Sequence, residues 1–267
     1  MTTSYMDRDE GRIAYDVTGA GPLVICLPGM GDLRSVYRFL APALVESGFR
    51  VATMDLRGHG DSDATFSVYD DVAAATDALA LIDHLGADRA LLVGNSMTGG
   101  SAVWAAAEAP DRVAGLVLLD PFVRDLPPNP LMTLAFRAAL VRPWGPAVWK
   151  GYYRRLYPGR RPADLAEHQR RQAESLGGKW RAFVRTTRTS HAPAEARLPE
   201  VTARALVVMG DKDPDWKDPV AEAHWIQSTL DAELLVVPGA GHYPMAEYPE
   251  VVNPVVVSFA QRMYARA

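Results

Sequence analysis

A single cysteine, Cys26, is all that the 267 residues contain. One thiol excludes an intrachain disulfide and a cysteine-based zinc site. Lying within an apolar run, Cys26 reads as a small buried hydrophobe. Long hydrophobic runs are missing too. No stretch approaches the roughly 18 to 20 apolar residues of a membrane span, and residues 1–15 are acidic and polar, without the pattern of an export signal. A cytoplasmic protein without a membrane span is therefore expected. There is no excess of basic charge: 28 Lys and Arg stand against 32 Asp and Glu, a net charge of −4. That argues against a nucleic-acid partner. Internal repeats and low-complexity tracts are absent, and no residue pattern asks for a metal or cofactor.

What is present is a chain with 48% hydrophobic and 22% charged residues, enough for one large α/β domain or a domain with an insertion. Residues 11–18 alternate like an edge strand. Residues 23–27, 50–54, 90–93 and 113–119 are apolar runs read as buried strands. Between them, 35–47, 68–85 and 97–108 carry apolar residues at helical spacing. The rhythm resumes with a strand at 205–209, a helix at 220–230, a strand at 233–237 and a helix at 251–265. Apolar strands alternating with helices predict a mostly parallel sheet covered on both faces.

Residues 121–200 interrupt this rhythm. They hold 15 Lys and Arg against 6 Asp and Glu, while the remainder holds 13 against 26. Such a reversal marks a compositional boundary at each end. No buried strand is evident there, and several helices are expected. The predicted organisation is a core over residues 1–121 and 201–267 with a helical cap over 122–200.

In parallel sheets, ligands bind at the carboxyl ends of strands. One such end is the stretch Gly94-Asn-Ser96-Met-Thr98, where an apolar strand passes at once into a helix. The serine occupies a sharp turn whose flanking residues must be small, beside the N–H groups of a helix start. On its own such a turn is more often structural than catalytic. A serine hydroxyl becomes a nucleophile only with a base in reach, normally a histidine oriented by a carboxylate. Of the four later histidines, His242 lies in a Gly/Pro-rich loop just past an apolar strand, on the same edge as Ser96. His168 and His191 fall in the inserted segment, and His224 is mid-helix. Asp213, in the loop after 205–209, is the preferred acid. Asp120, which ends an earlier strand, is the alternative, and Asp211 and Asp215 read as solvated loop carboxylates.

The order Ser96, Asp213, His242 is that of the α/β-hydrolase superfamily. Gly94-Asn-Ser-Met-Thr-Gly99 resembles its nucleophile elbow. Asp55-Leu-Arg-Gly-His-Gly-Asp-Ser62 resembles the turn after its fourth strand, and Gly210-Asp-Lys-Asp213 and Gly241-His242 resemble its acid and histidine loops. The inserted segment falls where many members carry a helical cap, so the resemblance spans essentially the whole chain. Two departures stand out. Thr98 replaces the last glycine of the elbow, and Pro28-Gly29 stands where His-Gly is common.

The resemblance implies an oxyanion hole from the backbone N–H groups of Met30 and Met97, each such donor being worth about 3 to 4 kcal/mol. It also implies an acyl-enzyme on Ser96. Relatives that hydrolyse epoxides or haloalkanes carry an aspartate at the elbow, so those chemistries are not expected. Gly29, Phe122, Trp144 and Trp149 are candidate pocket residues, and Arg124 is the cap arginine best placed to meet an anionic substrate. A small carboxylic ester or lactone is the expected substrate, for a monomer or homodimer. Hydrolysis of a carbon–carbon bond or perhydrolysis on the same triad, and a slow ligand-sensing protein that keeps the triad, are the alternatives.

Overall fold

The computed structural model describes residues 3–127 and 129–265. Eight strands form one sheet in the order β1-β2-β4-β3-β5-β6-β7-β8. They are β1 (Ser4–Arg8), β2 (Gly11–Thr18), β3 (Leu23–Leu27), β4 (Arg50–Met54), β5 (Ala90–Asn95), β6 (Val113–Leu119), β7 (Ala205–Gly210) and β8 (Glu233–Val237). β1 and β2 are antiparallel to their neighbours, and β3 to β8 are parallel.

Alternate residues of the central strands serve two separate cores. Leu23, Ile25 and Leu27 of β3 join one with Leu92 and Leu116, and Val24 and Cys26 join the other with Val93 and Val117. Both faces of the sheet are thus dry, which is why these strands read as unbroken apolar runs. The first face is covered by α2 (Asp71–His84), α3 (Thr98–Glu108) and α8 (Pro219–Leu230), the second by α1 (Leu40–Glu46) and α10 (Pro249–Tyr264). Cys26 is fully buried, and burial pushes its thiol well above the usual range.

Three local expectations change. β1 was not visible in the sequence, since only Met6 of its five residues is buried. Its presence moves β2 from the sheet's edge to its interior. The expected helix at 35–47 divides into a 3-10 turn, Arg34–Tyr37, and α1. In a helix, a proline ring clashes with the carbonyl four residues before it, so an unbroken helix would set the Pro42 ring against the Arg38 carbonyl.

Among the described residues, no strand lies between β6 and β7. That segment carries α4 (Pro130–Ala139), α5 (Gly145–Arg155), α6 (Leu165–Thr186) and α7 (Ala192–Arg197). α7 packs on α2 and α3, and its Ala194 belongs to the first core, together with Leu198 just beyond. The chain is therefore back against the sheet's helices some residues before 201. The strand order reverses direction between β3 and β5, so a crevice opens at their carboxyl ends. Gly29 and Ser96 follow those two ends.

Candidate active site

Ser96 stands between β5 and α3 with φ +58. A non-glycine residue in that region is strained and persists only where its surroundings fix it. Here the Ser96 N–H donates to the Leu119 carbonyl (3.0 Å), and its own carbonyl accepts from the N–H groups of Gly99 (2.9 Å) and Phe122 (3.0 Å). The turn is so tight that a Cβ at Gly94 would lie 2.3 Å from the Thr98 carbonyl oxygen. Gly29 is needed for the same reason, since a Cβ there would meet the Ser96 Cβ at 2.9 Å. Thr98 is tolerated where glycine is usual because its hydroxyl has acceptor and donor work to do. It accepts from the Asn95 N–H (3.0 Å) and lies 2.7 Å from the Leu27 carbonyl.

His242 approaches from the loop after β8. Its Nδ1 is 2.8 Å from Asp213 Oδ2 and 3.8 Å from Asp215 Oδ2. Asp213, not Asp120, therefore orients the ring. Asp120 lies close behind: it accepts from the Gly210 N–H at 2.9 Å through Oδ1, and its buried Oδ2 has no hydrogen-bond partner among the described residues. Burial pushes the Asp120 carboxyl well above the carboxylate range, and the neighbouring Asp213 adds to this. Asp215 is not the solvated loop residue expected. It is buried enough for its carboxyl to be pushed up, and the Tyr152 hydroxyl of α5 donates to it. Burial disfavours charge on the His242 ring, but Asp213, with Asp215 and Asp120 beside it, pushes its pKa up to about 10. Asp120, Asp213 and His242 bring ligand-type atoms within 4.8 Å of one another, yet the Nδ1–Asp213 hydrogen bond already occupies two of those groups.

The histidine loop is tied to the elbow through Asn95, whose Nδ2 donates to the carbonyls of Leu119 (2.9 Å) and His242 (3.2 Å). Ser96 and His242 both flank Phe122, whose N–H donates to the Ser96 carbonyl and whose ring lies 6.2 Å from the imidazole. Among the described residues, neither the Ser96 hydroxyl nor His242 Nε2 makes a hydrogen bond with a protein group. Catalytic hydrogen bonds are often long before substrate binds and tighten afterwards.

The loop after β3 is held by a residue whose role the sequence did not reveal. His59 is fully buried, and burial lowers its pKa to about 4. Its neutral ring accepts from the Gly31 N–H at 2.9 Å through Nε2, while Nδ1 lies 2.9 Å from the Arg57 carbonyl. That fixes the backbone on one side of Met30. No described hydrogen bond uses the N–H of Met30, or that of Met97 at the start of α3, where helices leave donors unpaired.

The remaining candidates separate into two groups. Phe122 stacks on Trp216 at 4.5 Å and on His191 at 5.6 Å beside His242, and Trp149 packs with Phe183 at 4.7 Å over the Gly31 turn. Met30 touches both this cap cluster and Met97. Arg124 is engaged elsewhere: it donates to Glu222 (3.0 Å through Nε) and lies 3.6 Å over the Trp225 ring. Trp144 is 53% exposed and donates its indole N–H to the Ala138 carbonyl. Neither is brought to Ser96. His224 is exposed, beside Gln227. His168 and His191 are partners of buried aspartates. His168 Nε2 meets Asp32 at 2.7 Å, and His191 Nδ1 meets Asp71 at 2.7 Å. Ser96 and His242 are both buried in this structure.

A sequence model of the alpha/beta hydrolase family matches residues 24–255. Among curated proteins, the chain is 28% identical to 2-hydroxy-6-oxo-6-phenylhexa-2,4-dienoate hydrolase of Comamonas testosteroni, covering 97% of this chain and 94% of that protein. It is 29% identical to 2-(acetamidomethylene)succinate hydrolase of Mesorhizobium japonicum, over 94% and 93% of the two chains. Among solved structures, a thermophilic esterase from Thermogutta terrifontis superposes with a TM-score of 0.79 at 26% identity, over 99% of this chain and 100% of that one. Strand order, strained serine turn and family match agree, and the chain belongs to the alpha/beta hydrolase family.

Proposed function

We propose that the protein is a serine hydrolase that cleaves a small carboxylic ester or lactone through an acyl-enzyme. The observation that carries this reading is the buried His242–Asp213 pair at 2.8 Å beside the strained Ser96 turn. Ser96 Oγ attacks the substrate carbonyl while His242 Nε2 takes its proton. Nδ1 is committed to Asp213, so Nε2 is the nitrogen that faces the reaction. The N–H groups of Met30 and Met97 receive the oxyanion. His242 then protonates the leaving alcohol. Water, deprotonated by the same nitrogen, releases the acid and restores Ser96. No cofactor enters this scheme. Met30 packs against the Trp149 cluster and Phe122 lies beside His242; apolar side chains near the site suit an acyl or alkyl group better than a charged one, and Gly29 leaves room for the carbonyl beside Ser96.

A second reading, hydrolysis of a carbon–carbon bond, is favoured by the likeness to the Comamonas testosteroni hydrolase of a 2-hydroxy-6-oxo-dienoate. The same triad would serve, with a carbon acid in place of the alcohol as leaving group.

Labelling with a fluorophosphonate, followed by assay on short-chain nitrophenyl esters, lactones and a 2-hydroxy-6-oxo-dienoate, tests both. Ester turnover that Ser96→Ala lowers by several orders of magnitude supports the first reading. Turnover of the dienoate alone moves the assignment to the second. Esterase activity that survives the substitution rejects Ser96 as nucleophile.

A further inference from the structure

The exposed side of the cap is built unlike the rest of the surface. None of the residues of α4 is buried, and Leu131 and Met132 are 77% and 67% exposed. Leu134, Phe136, Val141 and Val148 are also exposed, with Trp144 at the corner between α4 and α5. A helix that shows its apolar residues to solvent is normally covered by something. Acidic residues are absent here: none occurs between Asp125 and Asp164, where there are seven Lys and Arg. Beside α4 and the start of α6's last turns runs a groove of about 730 Å³, walled by Arg137, Arg142, Arg181, Arg185 and Arg188 around Trp180. Among the described residues, none of these five arginines forms an ion pair with a carboxylate.

We propose that the α4–α5 face of the cap docks on an anionic lipid bilayer surface. Apolar side chains on one face of a helix and arginines around it are the combination that lies in a membrane interface, with the rings and leucines at the acyl boundary and the cations at the headgroups. Trp144 stands where interfacial tryptophans gather. The charge of the whole chain gives the orientation. Residues 121–200 carry about +9 and the remainder about −13, so an anionic surface attracts the cap and repels the body. A two-fold contact with a second copy would press two acid-free basic faces together. Among the described residues no helix is long and apolar enough to cross a membrane, so the association is peripheral.

Co-sedimentation of the full chain with vesicles tests this. The expected result is pelleting with vesicles of phosphatidylglycerol and phosphatidylcholine at low ionic strength, about tenfold weaker binding to phosphatidylcholine alone, and loss in high salt. Leu131→Glu with Leu134→Glu, and separately Arg181→Glu with Arg188→Glu, are each expected to weaken binding at least about tenfold, while melting temperature and ester turnover stay unchanged. All four side chains are exposed, so the fold does not depend on them. No binding to the anionic vesicles overturns the proposal, as does binding that ignores both pairs of substitutions. A concentration-dependent dimer abolished by the leucine substitutions, without vesicle binding, overturns it in favour of a second copy.

Discussion

The Thr98 hydroxyl lies 2.7 Å from the Leu27 carbonyl and joins the serine turn to the end of the neighbouring strand. The same oxygen accepts from the Asn95 N–H at 3.0 Å. The crowding rule at an elbow is therefore one-sided here. Position 94 has no space for a Cβ, whereas position 98 holds a β-branched residue that satisfies two buried backbone groups. Thr98→Val keeps the shape and removes the hydroxyl, leaving the Asn95 N–H buried and unpaired. The expected cost is about 1 to 3 kcal/mol, read as a fall in melting temperature of about 2 to 4 °C per kcal/mol for a domain of this size. A valine variant as stable as the parent would show that the hydroxyl is incidental.

The carboxylates around His242 make a prediction about pH. The ring can accept the serine proton only when neutral, and burial's effect on it is overcome by Asp213 and its neighbours, which hold its pKa near 10. The rate constant kcat/KM for a neutral ester should then rise from neutral pH towards the alkaline side. Asp215→Asn removes a negative charge 3.8 Å from Nδ1 while keeping an oxygen for the Tyr152 hydroxyl. An imidazolium that loses a nearby negative charge loses its proton more easily. The acid limb should move to lower pH with the plateau rate retained. A limb that stays in place, or moves up, would mean that Asp215 does not act on the ring. Stability carries the same sign: the raised pKa stabilises fully below the ring's ordinary value of about 6.5 and is lost as pH rises through about 10.

The four loops of the site could be read from sequence because each follows an apolar strand and is broken by glycine, so position along the chain gave position at the sheet's rim. Ser96, Asp213 and His242 came from residue type added to that placement. What could not be read lies in pairings without periodicity. The Asp32–His168 and Asp71–His191 contacts join residues 136 and 120 positions apart, and no local spacing encodes them. Arg124 looked available because it follows Asp120 closely, but Glu222 and Trp225 come from a helix nearly a hundred residues on. Trp144, a candidate pocket residue by type, lies on the exposed face of α4 and α5 instead.

Glycine in a helix usually costs about 0.8 to 1.0 kcal/mol relative to alanine, and two helical glycines should depart from each other. A Cβ at Gly151 in α5 meets nothing within 4 Å, so Gly151→Ala should stabilise by up to that amount. A Cβ at Gly100 in α3 would lie 2.6 Å from Asp71 Oδ2 and 2.8 Å from the Phe122 carbonyl oxygen. Gly100→Ala must therefore disturb the Asp71–His191 pair or the chain beside Ser96, and both stability and ester turnover should fall. Chemical denaturation of the two variants reads the signs directly. A stabilised Gly100→Ala would show that α3 can shift without harm to its contacts.

His168 of α6 ties the cap to the loop bearing Met30 through Asp32. Asp32 is fully buried, and burial alone would raise its carboxyl pKa. The His168 ring at 2.7 Å, the Leu33 N–H and the Tyr153 hydroxyl at 2.8 Å hold it below the usual range instead. Removing one partner of such a pair leaves an uncompensated charge, at a cost of about 3 to 5 kcal/mol. His168→Ala should therefore lower the melting temperature by about 10 °C, and adding Asp32→Asn should recover part of the loss. A carboxylate with a lowered folded pKa gives stability that is present above its unfolded value of about 3.9 and lost as pH falls through the folded one. Without His168 the folded pKa rises, so acid unfolding should begin at higher pH in His168→Ala than in the parent. If the single and double variants melt together with the parent, the pair contributes nothing net, and the cap is held to the core by its aromatic cluster and by polar contacts such as Lys179 with the Gly60 and Ser62 carbonyls and Arg38 with Asp164.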